Sequence, residues 1–130
     1  MRPWINTPNR KEIKDNIGFV YIIKNIKTLK WYVGKKLFWF KQTKSPLKGK
    51  KRKRKGLFES DWREYTGSSN TLNADIAKQG IDNFERRIIK LCKTKTELSY
   101  EELKQQVLMN ALFDKNCYNQ LIRCRIHVKK

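Results

Sequence analysis

The chain holds a single histidine, His127, and its three cysteines, Cys92, Cys117 and Cys124, include no Cys-x-x-Cys pair. An odd number without paired spacing argues against a disulfide framework. Structural zinc draws on closely paired ligands, a spacing that Cys92, Cys117, Cys124 and His127 do not offer. Nucleases that bind metal on several histidines, and ribonucleases that use two as acid and base, need more imidazole than one residue supplies. No apolar run approaches a membrane span, and the opening MRPWINTPNRKEIKDN has no apolar core followed by a small-residue cleavage site. An intracellular, cytoplasmic protein is therefore expected. Acidic residues are scarce as well: 12 Asp and Glu stand against 31 Lys and Arg, for a formal net charge of +19.

A surplus that large makes the compact state repel itself, so it points to a polyanionic partner, nucleic acid or an acidic membrane surface. With 130 residues, 38% of them hydrophobic, the chain has material for one domain around one core. The cations concentrate in residues 41–57, KQTKSPLKGKKRKRKGL, which also carry Pro46, Gly49 and Gly56 and almost no core-forming residues. Such a charge run is commonly a solvated surface. Here LFWF precedes it and LFESDW follows it, so it reads as a loop or extended hairpin tip anchored at both ends. Lys48, Lys50, Lys51, Arg52, Lys53, Arg54 and Lys55 would then face the phosphates of DNA or RNA.

The remaining pattern is a short series of elements. GFVYIIKN and KWYVGKK read as two strands of a hairpin. SSNTLNADIAKQG has a Ser/Asn cap, Leu72 and Ile76 four apart, and Gly80 as a stop, which predicts a short helix. NFERRIIKLC predicts a strand, and KTELSYEELKQQVLMNALF the longest helix. CYNQLIRCRIHVKK reads as strand or short helix, and there are no internal repeats. The order predicts an α/β domain of the α+β type, a small three-stranded antiparallel sheet flanked by helices, spanning 1–130. Residues 1–16 read as an N-terminal extension and 41–57 as a basic insertion after the first hairpin.

Tyrosine is a good strand residue, so one tyrosine per strand needs no special account. The pair FVYIIKN and WYVGKK nevertheless resembles the hairpin of the GIY-YIG nucleases, with Tyr21 in the first half-motif and Tyr32-Val33-Gly34 in the second. Val20 replaces the usual Ile, and Phe19 stands where the Gly of the name is expected. SYEELKQQ and CYNQLI fit the places of the family's metal-binding Glu, here Glu102 or Glu101, and of its later Asn, Asn119. The stretches around Lys35 and Lys36, Trp62 to Ile76, and Glu102 with Gln106 are similar to stand-alone phage-encoded members. Many family enzymes place an Arg and a His after the hairpin. Here Tyr65 stands in the His place, and the cation is either Arg63 or Lys36.

The resemblance implies a metal-dependent DNA endonuclease with Tyr21, Tyr32, Lys35, Lys36, Arg63, Glu102 and Asn119 as its catalytic set. Phosphodiester hydrolysis needs a deprotonated water, a divalent ion and a further cation on the developing charge. A phenol titrating near pH 10 is a poor base at neutrality, so the lysines and a metal are expected to lower it, with Tyr21 favoured as base and Tyr32 positioning phosphate or water. One carboxylate, Glu102, matches one Mg²⁺ or Mn²⁺, which keeps most of its waters. Two other readings compete. A restriction-type nuclease would use Glu102-Leu103-Lys104 on a strand, and a non-catalytic nucleic-acid-binding protein would need only the charge.

Overall fold

A computed structural model describes residues 1–44, 48–49, 51, 54–122 and 125–130, with residues 42–44, 54 and 55 described by backbone only. Cys124 and the proposed DNA-contacting residues Lys50, Arg52 and Lys53 lie outside the described residues, and the Arg54 and Lys55 side chains are likewise not described. Lys48 and Lys51 are exposed.

Strand β1 (Gly18–Asn25) is central, flanked by antiparallel β2 (Trp31–Leu37) and β5 (Phe84–Cys92), in the order β2-β1-β5. Because both faces of β1 are covered, its sequence is a nearly continuous apolar run rather than an alternation. Phe19, Tyr21 and Ile23 point into the larger core with Trp62, Leu72, Phe84 and Ile88. Val20 points the other way, with Val33 and Cys92, against Leu98 of helix α3 (Lys95–Leu108). The three-stranded sheet and the predicted strand and helix order are thus present.

Helix α2 (Asn70–Gln79) starts at Ser69, whose side chain accepts from the Leu72 N–H, and stops at Gly80 with φ 91°. Both ends were readable because capping is local chemistry. The chain after Cys117 forms no regular helix or strand among the described residues; Cys117 makes a single parallel bridge to Trp31.

The N-terminal stretch is more than an extension. Asn9 and Glu12 form a capping box that starts helix α1 (Arg10–Asp15), and Ile13 is buried. Trp4 is 3% exposed, packs on Phe19 and Tyr21 with ring centroids 5.2 Å away in each case, and donates its Nε1–H to the Trp62 carbonyl at 2.8 Å. Ile5 bridges in parallel to Arg87. These contacts span long sequence separations, which is why local pattern did not show them.

The basic insertion is a second, two-stranded sheet in which β3 (Trp39–Lys44) pairs with β4 (Arg54–Glu59). Its root is fixed by Phe38, fully buried against Phe19 and Trp62.

One register position governs the hairpin motif. Tyr21 lies directly opposite Gly34, and a Cβ at residue 34 would fall 2.5 Å from the Tyr21 hydroxyl oxygen and 2.8 Å from a Tyr32 ring carbon. The glycine is there because two tyrosine rings occupy the space of its side chain. Gly34→Ala is therefore expected to cost about 1–3 kcal/mol of stability by overpacking. Chemical denaturation checks this, and the cost should shrink in a Tyr21→Phe background, which removes the nearest atom.

Candidate active site

β2 is an edge strand, so its outward N–H and C=O groups need partners from elsewhere. The chain supplies them from distant segments. The Trp31 N–H donates to the Asn116 carbonyl at 2.9 Å, and the Tyr118 N–H to the Trp31 carbonyl at 2.7 Å. Two residues on, the Asn119 amide acts as a strand would. It accepts the Val33 N–H at Oδ1 (2.9 Å) and donates Nδ2–H to the Val33 carbonyl (2.8 Å). Gln106 adds a longer contact to the same carbonyl, 3.4 Å. The next outward N–H, that of Lys35, is on the side of the Glu102 carboxylate and favours its ionised form.

Helix phase decides between the two adjacent acids. Glu97 and Glu101, one turn apart, both act electrostatically on the buried Cys92 thiol, which burial first and these charges next push up to about 11. Glu102 and Gln106, also one turn apart, line a cleft of about 780 Å³ together with Tyr32, Lys35, Ser68 and Asn119. Partial burial raises the Glu102 carboxyl above the usual carboxylate range, opposed by the Lys35 charge and backbone N–H. Because Glu102-Leu103-Lys104 lies on α3, the strand-borne acid and lysine of the restriction-type reading are not formed.

The two tyrosines are neighbours in different surroundings. Their ring centroids are 6.2 Å apart. Tyr21 is 1% exposed, and burial, followed by Tyr32, Tyr65 and Glu102, raises its phenol well above the ordinary value. This is opposite to the lowering expected from Lys35 and Lys36, because neither ammonium is directed at the Tyr21 oxygen: Lys35 donates to Ser99 Oγ at 2.8 Å and Lys36 pairs with Asp61 at 2.7 Å. Tyr32 faces the cleft with its hydroxyl 3.2 Å from Ser68 Oγ. Burial raises Tyr32 as well; the Ser68 hydroxyl works against that rise, and Glu102 and Tyr65 add to it.

The cation question has a geometric answer. Residues 61–65 form tight turns, with Glu64 N–H to Asp61 O at 3.2 Å and Tyr65 N–H to Trp62 O at 3.3 Å. Trp62 and Tyr65, three apart, turn inward; Arg63 between them turns out, to pair with Glu59 and stack on the Trp62 ring at 4.4 Å. Tyr65 packs edge-on against Tyr21 with centroids 6.1 Å apart, and Lys36 Nζ lies 4.0 Å from the Tyr65 ring centre. Lys36, and not Arg63, reaches the tyrosine cluster.

Arg86 is a residue that the sequence reading passed over. It is 4% exposed, donates to the carbonyls of Arg63 and Tyr65 at 2.9 Å each and of Arg2 at 2.8 Å, and lies over the Trp4 ring. It thereby fixes the turn that carries Tyr65. Its signal was present: Phe84, Arg86 and Ile88 alternate with exposed or half-buried neighbours, so the arginine belongs to the inward face.

A central antiparallel hairpin with two tyrosines beside a helix-borne carboxylate defines a GIY-YIG-type endonuclease, a hydrolase acting on phosphodiester bonds. Residues 4–122 match the family model described as "Putative endonuclease segE, GIY-YIG domain", and the chain belongs to that family. Searches of the curated proteins and of the solved structures each returned no match. The family assignment implies a nucleic-acid substrate and removes the non-catalytic reading. Among the described residues no helix is long and apolar enough to cross a membrane.

Lys36→Ala is expected to slow single-turnover cleavage by about a hundredfold, the scale of losing one electrostatic stabiliser. Arg63→Ala should cut within about threefold of the parent, its partners being Glu59 and Trp62. Comparable losses in both variants would return Arg63 to the site.

Proposed function

We propose that the chain is a divalent-metal-dependent endonuclease acting on double-stranded DNA, encoded by a bacteriophage and working in the cytoplasm of an infected bacterium. The observation that carries the reading is the convergence of Tyr32, Lys35 and Glu102 on one cleft, with Lys36 at the adjoining tyrosine cluster. The phage origin rests on the similarity of the YVGKK, Trp62–Ile76 and SYEELKQQ stretches to stand-alone phage-encoded members. The duplex rests on the basic surplus and the hairpin arm that bears much of it.

The donor set suits a hard cation. An ionised carboxylate offers several acceptor sites, and Glu102 lines the cleft beside Lys35. Tyr32 and Ser68 add hydroxyl oxygens along the same wall. Among the described residues no three His, Cys, Asp or Glu side chains cluster, which fits Mg²⁺ or Mn²⁺, ions that take one or two carboxylates, and not a caged zinc. Glu102 would hold the ion, which when bound neutralises phosphoryl charge and acidifies water.

The chain's own groups divide the remaining work. Tyr32, facing the cleft, is the better base than the buried Tyr21, reversing the order expected from the sequence. The Ser68 hydroxyl, 3.2 Å from that of Tyr32, would offset part of the rise that burial imposes on its phenol. Lys35 and Lys36 face the charge that develops on the phosphoryl group. Asn119 touches no reacting atom in this scheme; it positions Tyr32 and Lys35 by holding the peptide groups of Val33 between them.

In single-turnover plasmid nicking, Tyr32→Phe should fall by about a hundredfold or more, and Tyr21→Phe, acting through Tyr32, by roughly tenfold. A larger loss in Tyr21→Phe would restore it as the base.

Glu102→Ala should bind DNA as tightly as the parent, or more tightly, since one negative charge is gone, while losing Mg²⁺-dependent cleavage. Glu101→Ala, on the Cys92 side of the helix, should cut nearly normally. Cleavage that survives in both would end the proposed mechanism.

A further inference from the structure

The β3–β4 ribbon stands apart from the three-stranded sheet yet is firmly rooted. The Ser60 N–H donates to the Phe38 carbonyl at 2.8 Å, and the Trp39 Nε1–H to the Ile13 carbonyl at 2.9 Å. From that root six register pairs run outward, Trp39 with Glu59 to Lys44 with Arg54. At about 3.3 Å per residue this is an arm of roughly 20 Å before its tip. Residues 39–59 contain nine Lys and Arg and one acid, Glu59, so the arm is matched to a polyanion along its length.

Gly56 is anomalous on this arm. Unlike Gly34, it meets no described neighbour: among the described residues a Cβ there would meet nothing within 4 Å, and its φ is outside the left-handed range. Glycine within a strand weakens it, and its recurrent use is to let a ligand or another backbone come close. Gly56 shares its face of the ribbon with Phe40 and Phe58, while the neighbouring pair, Lys41 and Leu57, leaves the other face.

We propose that β3–β4 seats in the major groove of duplex DNA by the face that bears Gly56, with Gly56 at the point of closest approach. This rests on the double-stranded substrate proposed above. Dimensions select the groove. Two paired strands are about 4.8 Å apart before side chains are added. The major groove, about 12 Å wide, admits such a ribbon, and the minor groove, about 6 Å wide, does not. The arm also leads to the reaction centre. A groove of about 710 Å³ runs from Phe40 and Ser60 at the ribbon root past Lys36 and Lys95 to Lys35 and Ser99, and those last two also line the cleft that holds Glu102. The ribbon therefore fixes the duplex at a set offset from the cut.

The test uses the full chain, a linear duplex of mixed sequence and metal-free buffer, so that binding is read without cutting. Dimethyl sulfate methylates guanine N7 in the major groove and adenine N3 in the minor groove. The parent should protect guanine N7 and leave adenine N3 reactive. Gly56→Val places a good strand residue where there is room, so its melting temperature should not fall. It should weaken duplex binding by roughly tenfold and lose the N7 protection, with the salt slope of affinity unchanged because no charge is altered. Gly56→Ala should move in the same direction by less. Protection of adenine N3 instead of guanine N7, or parental affinity and protection in Gly56→Val, would overturn the ribbon's placement. A parent that cuts single strands in Mg²⁺ but binds no duplex would instead overturn the duplex reading on which it rests.

Discussion

The open edge of β2 is the constraint from which the site follows. An edge strand exposes alternate peptide groups that must find partners, and the polar groups that satisfy them here come from α3 and from residues 116–119. Because the partners include Gln106 and Asn119, which share a cleft with Glu102, completing the sheet and assembling the proposed reaction centre are one event. Tyr32 and Lys35 flank the Val33-Gly34 segment, so the fixed peptide groups determine where both side chains emerge. A shift of β2 by one residue would exchange its two faces and send Tyr32 away from Tyr21.

The opposite wall is aromatic and dry. Trp4, Phe19, Tyr21, Phe38 and Trp62 pack in edge-on and tilted contacts with centroids between 5.0 and 6.0 Å. Tyr21 belongs to this wall by its ring and to the site by its hydroxyl, which is why burial acts on it more strongly than on Tyr32. Such a wall tolerates polar groups only when they are bonded, and among the described residues no buried side-chain N or O atom lacks a partner. Arg86 meets the same demand by spending its guanidinium on three carbonyls.

Lys36 shows how a site cation can be held and yet remain available. Its side chain is 19% exposed, but that of its partner Asp61 is 72% exposed. A pair with one partner so open to solvent contributes little to stability. In the proposed mechanism a phosphate would take the place of Asp61 at small cost, while the Tyr65 ring keeps the ammonium in position.

Charge surplus, the hairpin, the caps of α2 and the helix α3 were legible in the sequence, because each is written in composition or in local periodicity, whereas Tyr21, Tyr32, Glu102 and Asn119 were marked by the resemblance to the GIY-YIG family. The two-stranded form of the insertion was half legible, its aromatic flanks marking an anchored arm but not its register. Tertiary structure alone decided that Trp4 enters the core, that Arg63 turns out while Lys36 reaches Tyr65, that Tyr32 and not Tyr21 faces the cleft, and that Asn119 holds a backbone. Those outcomes depend on contacts between segments as far apart as Val33 and Asn119, and on turns in which adjacent side chains leave in different directions. No short-range pattern encodes which of two neighbouring residues a distant segment will meet; packing selects it once the sheet is closed.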